Sequence, residues 1–202
     1  MVTFPSSQHD SDDFGIKFHY VSNGVFVNRQ NIKEAEAVAD LIYEHFRKHP
    51  ERSLGVVCFS INQQALLEDI IDERRRRNDL YAKFFDQTIN EPFFVKNLET
   101  VQGDERDTII FSIGYGKDAA GNLKHNFGPL NRKGGERRLN VAITRAKYNV
   151  QVVSSIRSFD IDLNRTSAEG ARLLKEYLDL AENGLASLNK DLFVNPDAEA
   201  DS

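Results

Sequence analysis

LGVVCF, residues 54–59, decides how the rest of the chain is read. The run is short, unbroken in apolar side chains and rich in β-branched residues. A strand with one wet face would alternate, whereas an unbroken run fits a strand covered on both faces, as in a parallel sheet. Residues 108–113 (TIIFSI) and 150–154 (VQVVS) have the same character. Residues 16–21 alternate and read as a further strand, and residues 92–95 begin another apolar segment.

Helical periodicity fills the spaces between these runs. Residues 31–48 place Ala35, Val38, Ala39, Ile42, Tyr43 and Phe46 on one face, and His49-Pro50 ends the helix. Residues 63–77 form a second helix, with Ser60 or Asn62 as its cap and Leu66, Leu67, Ile70 and Ile71 inward. Its terminal Arg74 to Arg77 block complements the helix dipole, as a solvated end or as a contact to a nucleic-acid backbone.

The stretch GGERRLNVAITRAK, residues 134–147, predicts a third helix that opens after two glycines. Leu139, Ala142, Ile143 and Ala146 fall on one apolar stripe at the i, i+3, i+4, i+7 spacing. On that helix Arg138 and Arg145 stack on one flank of the stripe, while Arg137 and Thr144 face water. Two guanidiniums side by side suit a phosphate, because arginine is always charged and offers a fixed fork of donors. An ordinary amphipathic helix with solvated arginines has the same pattern. A last helix, capped by Thr166 or Ser167, buries Ala171, Leu174, Tyr177, Leu178 and Ala181. Residues 116–135, rich in Gly, Asn and Lys, form a loop or hairpin.

Strands that alternate with helices give an α/β fold, a mainly parallel central sheet with helices on both faces. In such sheets ligands sit beyond the carboxyl ends of the strands. At 202 residues the chain holds one full core, placed at residues 15–186 between a flexible lead-in (1–14) and a flexible tail (187–202). The net charge of −5 does not advertise nucleic-acid binding, although a net charge can hide a local basic face. The single cysteine, Cys58, excludes an internal disulfide framework and a cysteine-rich zinc site, and it reads as a small buried hydrophobe. No apolar stretch approaches membrane-spanning length and no signal-peptide layout opens the chain, so a cytoplasmic protein without membrane contact is expected.

NLETVQGDERD, residues 97–107, stands just before a buried strand. Gln102-Gly103 makes a turn at which backbone can approach a ligand closely. Glu105 can accept hydrogen bonds from a ribose or order a metal-bound water. The bland alternative is a polar loop whose Asp104, Glu105, Arg106 and Asp107 pair among themselves.

QGDERDTIIFS followed about thirty residues later by GGERRLNVAITRAK resembles motifs V and VI of superfamily 1 DNA and RNA helicases, and GVVCFSINQQ resembles motif IV. The wording of EPFFVKNLETVQGDERDTIIFSIGYG, NFGPLNRKGGERRLNVAITRAK and DIDLNRTSAEG is similar to a bacterial group of large helicase-related proteins near the RNA-surveillance helicases. The resemblance covers residues 15–184, with RRLNVAITRAK its most specific part. It implies a RecA-like (P-loop NTPase-like) C-terminal motor domain of an ATP-dependent helicase. Such a domain shares its ATP and Mg2+ with a first RecA-like domain, which holds most of the magnesium.

By that resemblance Gln102, Gly103, Glu105 and Arg137 contact the nucleotide. Arg138 reaches the γ-phosphate, and Arg145 joins the phosphate network or braces motif V. Ser60, Asn62, Asn97 and Thr100 are the candidates to contact single-stranded DNA or RNA, with Phe59 as core. Gln64 stands where relatives in the RNA-surveillance branch carry a phosphate-touching arginine, so the charge there is missing.

The GxxxxGK-Ser/Thr phosphate loop is also missing, and GYGK at residues 114–117 is followed by Asp118. The chain by itself is therefore expected to be inactive. The alternative is a non-catalytic nucleic-acid-binding or regulatory module that keeps the fold.

Overall fold

A computed structural model describes residues 14–77 and 79–184. Five strands form one sheet in the order β1-β5-β4-β2-β3: β1 (Gly15–Tyr20), β2 (Leu54–Cys58), β3 (Phe94–Asn97), β4 (Arg106–Ser112) and β5 (Ala146–Ser154). Every pairing is parallel. All five residues of β2 are buried, which is why its sequence does not alternate. The α/β fold read from the sequence is the one observed. The expected lead-in and tail lie, Phe14 aside, outside the described residues.

Helices cover both faces. Helices α1 (Ile32–Lys48) and α2 (Ile61–Arg77) bury Val38, Ile42, Phe46, Leu67 and Ile71 against Val56, Ile110 and Val153. Helices α3 (Gly135–Ile143) and α4 (Glu169–Asn183) bury Leu139, Ala142, Leu174 and Leu178 against Val57, Ile109, Phe111 and Val152. Odd and even positions of β4 thus serve opposite cores, as the two-residue period of a strand requires. A 3-10 turn, Asp79–Phe85, adds Phe84 and Phe85 around Phe46; the Phe46 and Phe84 rings stack 4.4 Å apart. Cys58 is fully buried, and burial pushes its thiol pKa well up.

Three local expectations need correction. Helix α3 ends at Ile143, and Ala146 already belongs to β5, so the stripe stops a turn early. Arg145 is consequently not on the helix and does not stack on Arg138. Helix α4 starts at Glu169 with Ala168 as N-cap, while the Thr166 hydroxyl accepts from the Ala168 amide at 3.3 Å and from Asn131 at 3.2 Å. The four charged residues of the motif V loop do not pair with one another. Asp104 binds Lys96, Asp107 accepts from the Ser53 amide, and Arg106 turns inward onto the Pro92 carbonyl and the Phe94 ring. Ser60 does cap α2, accepting from the Gln63 amide at 3.2 Å.

The entries to α3 and α4 converge on one backbone group. A Cβ on Gly135 or on Gly170 would lie 2.3 Å from the Leu130 carbonyl oxygen. That oxygen belongs to Leu130, the buried residue of a 3-10 turn, Gly128–Asn131, and cannot swing aside as a side chain does. Gly135→Ala and Gly170→Ala should each destabilise the fold by about 1–3 kcal/mol in urea titrations. Because both strain the same carbonyl, the double variant should lose less than the sum of the two.

Candidate nucleotide edge and nucleic-acid groove

Helix α3 begins after Gly134, whose φ of 79° is left-handed. Arg138 is half-buried, and its Nη1 donates to the Lys133 carbonyl at 3.3 Å. Among the described residues that is its single side-chain hydrogen bond, and no carboxylate lies within 4.0 Å of its guanidinium. Arg137 points to solvent, with its side chain 87% exposed.

The chain then turns through Thr144 and Arg145 into β5. The Arg145 amide donates to the Ala142 carbonyl at 3.0 Å, its Nε to the Val141 carbonyl at 2.8 Å and its Nη2 to the Thr144 hydroxyl at 3.2 Å. Its Nη1 lies 3.9 Å from Glu105 Oε1, and its carbonyl accepts from the Arg106 amide at 3.0 Å. The two loops therefore meet through Arg145. A register shift marks the junction, since Ala146 pairs Arg106 and Asn149 pairs Thr108, one extra residue on β5.

The loop between β3 and β4 presents Gln102, Gly103 and Glu105 to solvent, with Gly103 at a φ of 89° and nothing within 4 Å of where its Cβ would stand. Thr100 is also exposed, with its hydroxyl accepting from the Asn97 amide. Asn97 is buried: its Oδ1 accepts from the Glu99 amide at 2.9 Å, and its Nδ2 donates to Gln64 Oε1 at 2.8 Å. Its side chain shapes the loop. Gln64, in turn, donates to the Val95 carbonyl at 3.2 Å and to Glu68 at 2.9 Å, which clamps α2 to the edge strand. Phe59 is fully buried. Among the described residues no group of three or more His, Cys, Asp or Glu stands close enough to hold a metal ion.

A cleft of about 570 Å³ lies past the carboxyl ends of the strands. Ser60 and Asn62 line it, joined by Phe26, Arg29, Tyr115, Lys124 and Arg132, which sequence reasoning missed. Asn97 and Thr100 stand outside it. Asn28 and Arg29 form the tip of a tight turn closed by Val27 and Gln30, whose amides and carbonyls exchange hydrogen bonds at 3.0 and 2.9 Å. Both tip residues have left-handed φ, 53° and 64°, the geometry of a type I′ turn that usually carries Asn or Gly. An arginine there is a strained choice. The turn is anchored by Gln30 Nε2, which donates to the Asn62 carbonyl at 3.2 Å.

Beneath the cleft sits a buried carboxyl. Glu34 accepts from the Ser112 hydroxyl, the Gly114 amide, and the amide and hydroxyl of Ser155. Asn31 Nδ2 donates to the same Ser155 hydroxyl at 2.8 Å, and Gln63 Nε2 donates to Ser112. Asn31 caps α1 by accepting from the Glu34 amide. The spacing Asn31-x-x-Glu34 is that of a capping box, in which the glutamate would reach back to the cap amide. Here Gln63 Oε1 takes the Asn31 amide at 2.9 Å, which releases Glu34 to face the sheet. That capping pattern was the available signal.

Burial raises the Glu34 pKa to about 8, against the pull of its donors. Between pH 4.5 and 8 the unfolded carboxyl is ionised while the folded one holds its proton, so this group's stabilisation is largest at low pH and is lost as pH rises toward 8. The stability difference between wild type and Glu34→Gln, which cannot titrate, should therefore shift in the variant's favour between pH 5 and 8 and become flat above, measured by denaturation midpoints.

Residues 16–157 match the family model described as AAA domain, a domain that occurs in superfamily 1 helicases. The chain is 40% identical over 163 residues to the uncharacterized ATP-dependent helicase MG140 of Mycoplasma genitalium, an overlap of 79% of this chain and 14% of that protein. Its homolog in Mycoplasma pneumoniae is 40% identical over 166 residues, with the same shares covered. The chain thus spans about 14% of the length of these relatives. A solved C-terminal domain of a possible DNA helicase from Lactobacillus plantarum WCFS1 overlaps 76% of this chain and 88% of that one, at 14% identity and a TM-score of 0.41. Among the described residues no helix is long and apolar enough to cross a membrane.

Proposed function

The chain belongs to the AAA domain family, and we propose that it is the second RecA-like motor domain of a superfamily 1 helicase or translocase driven by ATP. On this reading it supplies one wall of an ATP site whose phosphate loop and magnesium ligands come from a first RecA-like domain of the same polypeptide. The observation that carries the proposal is the meeting of the two loops, with the Arg145 guanidinium 3.9 Å from Glu105 and its carbonyl bonded to the Arg106 amide.

The residues fit a triphosphate. Gly103 and its open surroundings let backbone approach a ligand, and Gln102 and Glu105 stand exposed beside it. Arg138 and Arg145 are held by backbone carbonyls, which orient a guanidinium without neutralising it. Their part in the reaction is to stabilise negative charge that develops on the transferring phosphoryl group. Arg137 stands beside them as an outer contact.

Single-stranded DNA or RNA runs along the cleft past the strand ends. Arg29, Lys124 and Arg132 supply positive charge, Phe26 and Tyr115 supply rings, and Ser60 and Asn62 supply polar contacts to the backbone, with the exposed Thr100 as a further contact outside the cleft. Asn97 acts by holding the loop that carries Thr100.

In the full-length protein, Arg138→Ala or Arg145→Ala should lower ATP turnover by about 10³-fold at saturating ATP, with oligonucleotide affinity preserved. Turnover by the isolated chain at the full-length rate would sink the shared-site reading. Arg29→Gly separates binding from folding. Glycine suits the left-handed φ, so stability should hold or rise. Oligonucleotide affinity should fall, and the slope of log K against log salt should shrink by about 0.7, the loss of one phosphate contact on a single strand.

A further inference from the structure

The amino ends of four strands meet at one cluster of side chains. Ser53 stands just before β2 and Glu91-Pro92 just before β3, while Arg106 and Asp107 open β4 and Lys147 follows the first residue of β5. One Glu91 carboxylate oxygen accepts from the Ser53 hydroxyl at 2.7 Å, and the other accepts from the Lys147 ammonium. Ser53 is tied to β4 as well. Its amide donates to the Asp107 carboxylate at 2.9 Å, and its hydroxyl accepts from the Asp107 amide at 3.0 Å. The Arg106 guanidinium donates to the Pro92 carbonyl at 3.0 and 2.6 Å. The Lys147 ammonium, and after it the Ser53 hydroxyl, holds the Glu91 carboxyl below the usual carboxylate range, and Glu91 in turn raises the Lys147 pKa.

An ion pair at a surface contributes little by itself. Two features set this one apart. Glu91 has a φ of 55°, a left-handed conformation that a glutamate keeps only where its surroundings over-determine it. Lys147 lies in the irregular step of the sheet, between the Ala146–Arg106 and Asn149–Thr108 pairs. There β5 sets Lys147 and Tyr148 against Asp107 alone. Such a bulge interrupts the backbone ladder, bends the strand and re-aims the side chains beside it.

Arg145 immediately precedes that step. Its carbonyl accepts from the Arg106 amide at 3.0 Å, the Arg106 side chain holds Pro92, and Glu91 holds Lys147. These contacts close a ring through the bulge, with the Arg145 backbone as one of its members.

We infer that the Glu91–Lys147 pair positions the Arg145 guanidinium by bracing the bulge that follows it. The inference rests on the reading of Arg145 as a group that faces the transferring phosphate. Glu91 and Lys147 act through Arg145 and are positioning residues. A charge that must meet the transition state tolerates little displacement, and a misplacement of about 1 Å can lower a rate by about 10²-fold. Loosening the brace therefore lowers kcat, whereas the KM for ATP, set by contacts that form in the ground state, stays in place.

The test is a double-mutant cycle in the full-length protein, read as single-turnover hydrolysis of radiolabelled ATP. Glu91→Gly removes the carboxylate and suits the left-handed φ. Lys147→Gln removes the other partner's charge. Each should lower the rate at saturating ATP about tenfold, with the half-saturating ATP concentration within about twofold of wild type. In the Arg145→Ala background neither should lower the rate further, because the group they position is gone. Equal losses in both backgrounds would reveal a general structural role and overturn the inference. So would a wild-type rate in either single variant, or a loss confined to half-saturation. If Arg145→Ala itself turns over like wild type, the shared-site reading fails. A crippled Arg145→Ala beside unimpaired Glu91→Gly and Lys147→Gln sinks the positioning role alone.

Discussion

One buried carboxyl ties the top of the domain together. Glu34 reaches from the first turn of α1 to the ends of β4 and β5, and it is the shared acceptor for Ser112, Gly114 and Ser155. Gln63 brings the start of α2 into the same network through both the amide and the carbonyl of Asn31. A buried carboxyl is tolerable only when its oxygens are satisfied, and a buried network with one missing member costs more than an apolar core. The strand ends therefore cannot move independently. The floor of the large cleft inherits that rigidity, because Tyr115 and Gly116 follow directly from the Gly114 amide that Glu34 holds. Protonation need not break the network, since the Ser112 or Ser155 hydroxyl can rotate from donor to acceptor.

Much of the architecture was legible because parallel strands must be covered on both faces. Val56 and Val57 point to opposite cores and both must be apolar, so LGVVC has no alternative strand pattern. The α1 face was equally plain, since Val38, Ala39, Ile42 and Phe46 follow the helical period. The passage from α3 to β5 was not. No Gly or Pro separates residue 136 from residue 147, and Ala146 fits a helical stripe as well as a strand start. The deciding factor is nonlocal: the Arg145 carbonyl and Ala146 pair with Arg106 of the neighbouring strand. Tertiary pairing of that kind leaves no mark on local periodicity. The candidate site shows the same division. The motif residues were readable as motifs, whereas Arg29 comes to the cleft from the connection between β1 and α1, and Lys124 and Arg132 come from the long connection between β4 and α3.

The polar residues of the sheet follow a related logic. His19, Asn149 and Gln151 sit where valine or isoleucine would pack under α1 without difficulty. A lone polar side chain in such a place loses its water and must find a partner. Here the partners are mutual: His19 bonds Gln151, and Asn149 bonds the Gly15 carbonyl at 3.4 Å. Mutual satisfaction explains how the patch is tolerated.

The charge balance of the whole chain is no obstacle to anionic ligands, because what counts is how each arginine is restrained. An arginine locked to a carboxylate is neutralised as a pair, and a phosphate must compete with that partner for the guanidinium. Arg172 is of that kind, paired with Glu169 and Glu176 on the outer face of α4. Arg138 and Arg145 are restrained differently, by the carbonyls of Lys133 and Val141. A carbonyl dipole fixes the direction of the fork and leaves its full positive charge in place. The one carboxylate near Arg145, Glu105, stands at 3.9 Å and is itself exposed, so water screens the pair and a closer anion displaces it at little cost. A chain with a net charge of −5 can in this way keep these two arginines available on one edge.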